Sequence, residues 1–337
     1  MKAFTRSSSR SACVLSTLAA VALALSACGG SNSASSESSS ETACDRDYTI
    51  GFAHPVGEAG FVKALKSRLE SLAETNGCVT LLIDNTQANN LETQRAAIES
   101  WVTQKVDAIV VLPIDAPALE SLRERAQAQG TKWLTYAYKG DGVDGSAGFD
   151  SVASGKAVGD YLTTWVEANY PDKDITAEVT TLTALAAIAG GRWEGPIAAL
   201  DALGIEVVSK QDCADQACGL QITEDALRAH PNLRVVVGLN DDAALGAAKA
   251  FENAKIDPAT VLVIGQDGNP EALAAIQSGG PLKASAAINL DELANAIINN
   301  SLNAVNGSGE TSSQAGVVMA TADDPDALAA LIASYSK

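Results

Sequence analysis

The sequence predicts an α/β fold of two doubly wound parallel-sheet lobes, and three observations carry the prediction. First, residues 233–280 read as strand, acidic loop and helix, twice over. Leu233-Arg-Val-Val-Val-Gly-Leu239 is a short β-branched run, the mark of a strand buried on both faces. It breaks at Asn240-Asp241-Asp242 before a helix-forming stretch over 243–254, and residues 260–278 repeat the pattern through Gln266-Asp267-Gly268-Asn269. Crossovers of that length return the chain right-handed onto the same sheet, so the strands are parallel. Second, a similar series of alternating apolar runs and helical stretches fills residues 48–136. Third, the chain is too long for one core. Removing a 27-residue export signal from 337 residues leaves 310, which suggests two α/β domains.

The signal is read from a basic start at Lys2, Arg6 and Arg10 and an apolar stretch over 14–25 too short to span a bilayer comfortably. Leu25-Ser26-Ala27-Cys28 is a lipobox, which predicts that residues 1–27 are removed and that Cys28 is acylated. Residues 28–44 are Gly-, Ser- and Glu-rich and predict a flexible tether. Export is thus expected to leave the protein lipid-anchored to the outer face of the cytoplasmic membrane. The formal charge of −18 falls to −21 without the three basic signal residues, which argues against nucleic acid or anionic membrane as partners. Contact with the membrane is expected through the lipid alone.

Four further cysteines remain besides Cys13 and Cys28. In an exported protein an even number invites disulfides. Cys44 precedes the first strand and Cys78 opens the second, so neighbouring strands would allow a Cys44–Cys78 bridge. Cys213 and Cys218 would then close a small loop. Two histidines are too few for a convincing zinc site, and no metal is expected.

In chain order, residues 48–53 are the first strand and His54 to Gly60 its exit loop, followed by a helix with Phe61, Leu65, Leu69 and Leu72 on one face. Residues 78–83 are a strand, an Asn-rich loop follows, and a helix runs through Trp101. The strand over 107–112 ends in Pro113-Ile-Asp115, where Asp115 reads as a helix N-cap with proline early in the helix. Residues 132–136 are the fourth strand, opening into Ala137-Tyr138. After Asp150 come a helix over 154–168, a strand over 177–183, a loop over 184–191 and a helix opened by Arg192-Trp193. A strand over 205–209, the cysteine loop and a helix to His230 lead into the opening stretch. His230, before Pro231, reads as a helix-terminal residue. Then follow a strand over 284–288, a helix over 290–305, a polar loop over 306–314, a strand over 316–320 and a terminal helix.

In such sheets ligands lie beyond the carboxyl ends of the strands, where Asn240 and Asp267 occupy equivalent places. Asp241, Asp242 and Asn269 read as caps of the following helices. At Asp267 the next residue, Gly268, favours a ligand role, because glycine lets the backbone approach a ligand closely. Gln266 is counted with the candidate ligand residues.

With these residues read, the chain over 47–320 resembles the type I solute-binding proteins of ABC transporters, in the ribose- and galactose-binding branch. The likeness rests on Gln104-Lys-Val-Asp-Ala-Ile-Val-Val-Leu-Pro-Ile-Asp115, residues 155–162, Asn240-Asp-Asp-Ala-Ala-Leu-Gly246 and Val263-Ile-Gly-Gln-Asp-Gly268. It implies two lobes joined by a three-strand hinge, closing on a sugar or polyol-like ligand. The expected division is residues 45–149 plus 289–314 against 150–288 plus 315–337. It implies delivery to an ABC permease, a monomer, no cofactor and no catalysis. A sensor signalling to a membrane partner is the alternative.

By position, Arg192, Asn240 and Asp267 match residues that grip ligand hydroxyls, and Phe61 matches one of two phenylalanines that stack on the sugar. The other phenylalanine falls on Gly60. An aspartate and a basic residue fall on Ala137 and Tyr138, an aromatic near Ala214, and a polar contact near Ile288. His54, Tyr138 and Trp193 are the candidate replacement walls, and Tyr136 reads as packing. The poorly charged first lobe suggests a deoxygenated or otherwise modified sugar or polyol.

Overall fold

The computed structural model describes residues 45–84 and 90–335. The signal, the tether, Cys28 and Cys44 lie outside the described residues.

The first sheet is built from β1 (Tyr48–Ala53), β2 (Val79–Ile83), β3 (Ala108–Val111), β4 (Lys132–Tyr136) and β5 (Gly145–Phe149), with α1 (Gly60–Asn76), α2 (Leu91–Gln104) and α3 (Ala116–Ala128) between them. The second is built from β6 (Thr176–Thr181), β7 (Glu206–Asp212), β8 (Leu233–Val237), β9 (Leu262–Asp267) and β10 (Leu282–Ile288). Its helices are α4 (Ser151–Asn169), the single turn α5 (Ala186–Ala189), α6 (Gly191–Leu203), α7 (Gln216–Ala229), α8 (Asp241–Asn253) and α9 (Pro270–Ser278). The chain then runs through α10 (Leu290–Asn306), β11 (Ser312–Ala315), β12 (Val317–Thr321) and α11 (Pro325–Ser334).

Strand order is β11-β5-β4-β3-β1-β2 in one sheet and β12-β10-β9-β8-β6-β7 in the other. Every pairing is parallel except β10 with β12. The sheets are therefore near-copies, and their strand order reverses at β1 and at β6. Because β11 joins the first sheet and β12 the second, the chain passes between the sheets three times: after β5, after β10 and between β11 and β12.

Both faces of each sheet are covered, which is why the central strands are apolar without alternation. In the first sheet, Ile50, Phe52 and Val110 pack against Leu65 and Leu69 of α1 and Leu293 and Ile297 of α10. On its other face Ile109 and Val111 meet Trp101, Leu119 and Leu122. In the second, Val179, Val235 and Ile264 pack under Leu162 and Leu200, and Val236 and Val263 under Phe251 and Leu273. The edge strand β7 is largely exposed and carries Glu206, Lys210, Gln211 and Asp212, which discourages pairing with another chain.

Three features depart from the sequence reading. Gly145–Phe149 is a strand, although Gly-Ser-Ala-Gly-Phe has no β-branched residue; all five residues are buried between β4 and β11. Part of the polar loop, Ser312–Ala315, is a strand because it bonds through its backbone to β5. The loop after β6 contains α5. Asp115 caps α3, accepting from the Ala118 N–H at 3.1 Å, and His230 ends α7.

Candidate functional site: the cleft between the sheets

The carboxyl ends of β1, β3 and β4 face those of β6, β8 and β9 across a cavity of about 120 Å³. A concave, mostly apolar cleft with a few convergent polar groups is the usual form of a small-molecule site. Five lining residues carry polar side chains: His54, Tyr136, Arg192, Asn240 and Asp267.

Arg192 stands at the start of α6, and its place is set by backbone packing. A Cβ on Gly155 of α4 would lie 1.8 Å from the Gly191 carbonyl oxygen and 3.2 Å from the Arg192 Cα, so only glycine allows α4 and α6 this approach. The Arg192 Nη2 then reaches Asp267 Oδ1 at 2.6 Å, and Nη1 donates to the Leu239 carbonyl at 3.2 Å. The guanidinium also lies over the Phe149 ring of the other sheet, 4.6 Å from its centroid. Its Nε is buried and makes no hydrogen bond among the described residues. The ion pair is nearly dry, with side-chain exposures of 6% and 15%.

Asp267 ends β9 with φ of +119°, a region that side-chain-bearing residues avoid. The turn behind it holds it there. Gly268 has φ of +77°, and a Cβ would meet the Ala287 Cβ at 2.4 Å. The Gly268 N–H donates to Ser285 Oγ at 3.1 Å, Ser285 donates to Asp241 Oδ1 at 2.6 Å, and the Asn269 N–H donates to Asp241 Oδ2 at 2.6 Å. The Tyr335 hydroxyl donates to the Gly268 carbonyl. Burial pushes both carboxyls upward. For Asp267 the Arg192 charge opposes this, whereas the Asp267 charge pushes the fully buried Asp241 higher still.

Asn240 lines the cleft and caps α8, accepting from the Ala243 N–H at 2.9 Å, while its Nδ2 donates to the Ala214 carbonyl at 3.0 Å. The cap of α8 is thus Asn240; Asp241 supports the Asp267 turn and Asp242 reaches the other lobe, which corrects the cap reading of both. Asn269 does cap α9.

His54 is buried beside Tyr136, ring centroids 5.3 Å apart. Its Nδ1 accepts from the Val56 N–H at 3.1 Å, which leaves the proton on Nε2. Burial, aided by the Lys66 charge, pushes the imidazole down to about 3, so it is neutral. Tyr136, read as packing, lines the cleft, and burial and the Asp267 charge raise its phenol.

Phe61 lines the cavity. Three other candidates lie elsewhere. Tyr138 lines a separate surface pocket with Trp133 and Thr135. Ala137, at φ of +68°, turns the chain, and the Thr135 hydroxyl bonds the Tyr138 carbonyl at 2.6 Å, so Ala137 takes the cleft wall instead. Trp193 is buried in the core under α4. Gln266 is fully buried, accepting from Ser154 Oγ at 2.7 Å and donating to the Arg192 carbonyl at 3.0 Å, so it positions the ion pair from behind.

Phe149, Leu182, Leu185 and Ile188 also line the cavity and were not singled out from sequence. The one available signal was the spacing of Leu182, Leu185 and Ile188, three residues apart, which puts them on one side of the two short helical turns after β6. Cys213 and Cys218, flanking the Ala214 wall, have Cα atoms 5.8 Å apart, within disulfide spacing. The Cys44–Cys78 pairing lies outside the described residues. Among the described residues no cluster of ligating side chains suits a metal ion, and no helix is long and apolar enough to cross a membrane.

Comparison with known proteins agrees with this geometry. The ribose import binding protein RbsB of Bacillus subtilis is 29% identical over 237 residues, 69% of this chain and 73% of the relative. The galactofuranose-binding protein YtfQ of Escherichia coli is 28% identical over 258 residues, 73% and 79% of the two chains. The Caulobacter myo-inositol binding protein, solved with myo-inositol, superposes with a TM-score of 0.73 at 25% identity, over 85% of this chain and 97% of its own. A family model described as periplasmic binding protein domain matches residues 50–310. With that match over most of its length, this chain belongs to the periplasmic binding protein domain family.

Proposed function

We propose that this chain is the extracytoplasmic solute receptor of an ABC transporter, capturing a sugar or sugar-like polyol between its lobes and presenting it to a permease. The observation that carries this reading is the desolvated Arg192–Asp267 pair at the carboxyl ends of the second sheet, facing the His54 and Tyr136 wall of the first. A carboxylate and a guanidinium in a dry cavity form charge-assisted hydrogen bonds to vicinal hydroxyls. Phe61 and Phe149 offer faces for ligand C–H groups. Relatives named for ribose and galactofuranose binding support the same class of ligand.

The lipobox at Cys28 supports anchoring to the outer face of the cytoplasmic membrane, with the protein working as a monomer. Oxidising surroundings would close Cys213–Cys218 and Cys44–Cys78. The test is a thermal-shift screen of the purified protein against sugars and polyols, since a ligand bound only by the folded form raises the melting temperature. It is joined to uptake of the hit by a strain with and without the gene. A stabilising sugar whose uptake is lost on deletion supports the reading; no stabilising sugar or polyol would defeat it. Cys28→Ala should move the protein from the membrane to the soluble fraction.

A further inference from the structure

The polar groups of the cleft are few and mostly committed to one another. Both ends of the Asn240 amide are bonded within the protein, and so is one nitrogen of His54. What remains for a ligand is Asp267, the unpartnered Arg192 Nε, His54 Nε2 and the Tyr136 hydroxyl. These line one cavity, with Arg192 Nη2 2.6 Å from Asp267 Oδ1 and the His54 and Tyr136 ring centroids 5.3 Å apart.

The rest of the wall offers no hydrogen bonds from side chains. From the first lobe come Val56, Leu112 and Ala137; from the second come Leu182, Leu185 and Ile188. Ile188 reaches across the cleft and packs against the first lobe's cluster of Phe61, Leu112 and Phe149. Its segment is pinned by the Ser151 hydroxyl, which donates to the Ile188 carbonyl at 3.1 Å. A hydroxyl pressed against this arc would lose water without gaining a partner, which weakens binding by about tenfold or more. A methyl or methylene there would bury apolar surface instead.

Resting on the reading of the cleft as a sugar site, we propose that it selects a monosaccharide with one deoxygenated edge, its vicinal hydroxyls on Asp267 and Arg192 and a methyl or methylene on Leu182, Leu185 and Ile188. The deoxygenated position is what the apolar arc recognises, and the polar corner supplies orientation.

The experiment is calorimetric titration of the purified protein with matched pairs differing in a single oxygen: L-fucose and L-galactose, D-fucose and D-galactose, L-rhamnose and L-mannose, 2-deoxy-D-ribose and D-ribose. At least one deoxy sugar should bind about tenfold or more tightly than its hydroxylated twin, the discrimination expected where the extra hydroxyl finds no partner. Leu185→Gln, at a partly exposed position on a short turn, should shrink that ratio severalfold by giving the hydroxyl a partner. Hydroxylated twins that bind as tightly as, or more tightly than, every deoxy partner would overturn this inference and leave the sugar-receptor reading standing. Absence of binding by all eight compounds, together with a screen that finds no stabilising sugar or polyol, would overturn both. A preserved ratio in Leu185→Gln would remove the apolar arc as its cause.

Discussion

The carboxylate of Asp242 in the second lobe accepts a hydrogen bond from the backbone N–H of Gly60, 3.1 Å away in the first. Gly60 begins α1, whose own N-cap is Ala59, with no side-chain cap and no acid in its first turn. Helix α1 is therefore capped from across the cleft, by a carboxylate of the other lobe. Asn269 Nδ2 steadies the same carboxylate at 3.4 Å. A Cβ on Gly60 would stand 3.0 Å from that amide nitrogen, so a larger residue here would first displace the Asn269 side chain.

Loss of this cap should weaken ligand binding without harming either lobe. Cap deletions cost about 0.5–2 kcal/mol, so Asp242→Ala should lower affinity roughly two- to thirtyfold by calorimetry. The melting temperature of the open, ligand-free protein should barely change. Native affinity in this variant would show that the bond contributes nothing to closure.

Asp267→Ala should weaken binding more than tenfold, and it should also destabilise the second lobe. Arg192 is almost fully buried, and removing its partner leaves an uncompensated charge at a cost of about 3–5 kcal/mol. Asp267→Asn keeps a hydrogen-bond acceptor beside the guanidinium and should separate the two effects, losing affinity with a smaller fall in melting temperature. Near-native affinity for both variants would place the ligand elsewhere.

Glu178 makes stability depend on pH. It lies in β6, fully buried, with Oε1 accepting from the Thr223 hydroxyl at 2.7 Å and Oε2 unpartnered among the described residues. Burial raises its carboxyl from 4.5 to about 7, and the Thr223 bond only partly opposes this. The folded state therefore holds the proton more tightly than the unfolded one. Stability from this group is full below about 4.5 and is lost as pH rises to about 7, by on the order of 3 kcal/mol. Glu178→Gln should accordingly gain melting temperature over the native protein at pH 8 and lose that advantage at pH 4.5. An advantage that does not change between the two would refute the assignment.

The Cys213–Cys218 bridge should matter for the wall as well as for stability. Once oxidised, the pair would close a loop whose Ala214 carbonyl holds the Asn240 amide at 3.0 Å. Cys213→Ser with Cys218→Ser should lower stability by about 2–4 kcal/mol in denaturant melts and weaken ligand binding severalfold. Mass spectrometry of the alkylated native protein finding both thiols free would remove the bridge itself.

By itself the sequence determined the repeated strand-and-helix order, because strands covered on both faces must be apolar throughout and the crossovers must be helical. The opening stretch around Asn240 and Asp267 was legible for the same reason: the residues that follow a parallel strand have one place to go, the carboxyl edge. Phe61 came only from the family resemblance, since its own pattern marks it as one apolar residue on the face of α1. Tertiary structure alone decided the rest. Gly145–Phe149 and Ser312–Ala315 are strands by virtue of neighbouring backbones, which leave no mark in their side chains. The positive φ of Ala137, and not any residue preference, turned Tyr138 away and gave Tyr136 and Ala137 the wall. Gln266, Trp193, Asp241 and Asp242 look like site or cap residues in a linear reading. The roles of Gln266, Asp241 and Asp242 depend on partners 28 to 182 positions away, which only the folded chain brings into hydrogen-bond range, and Trp193 is fixed by core packing.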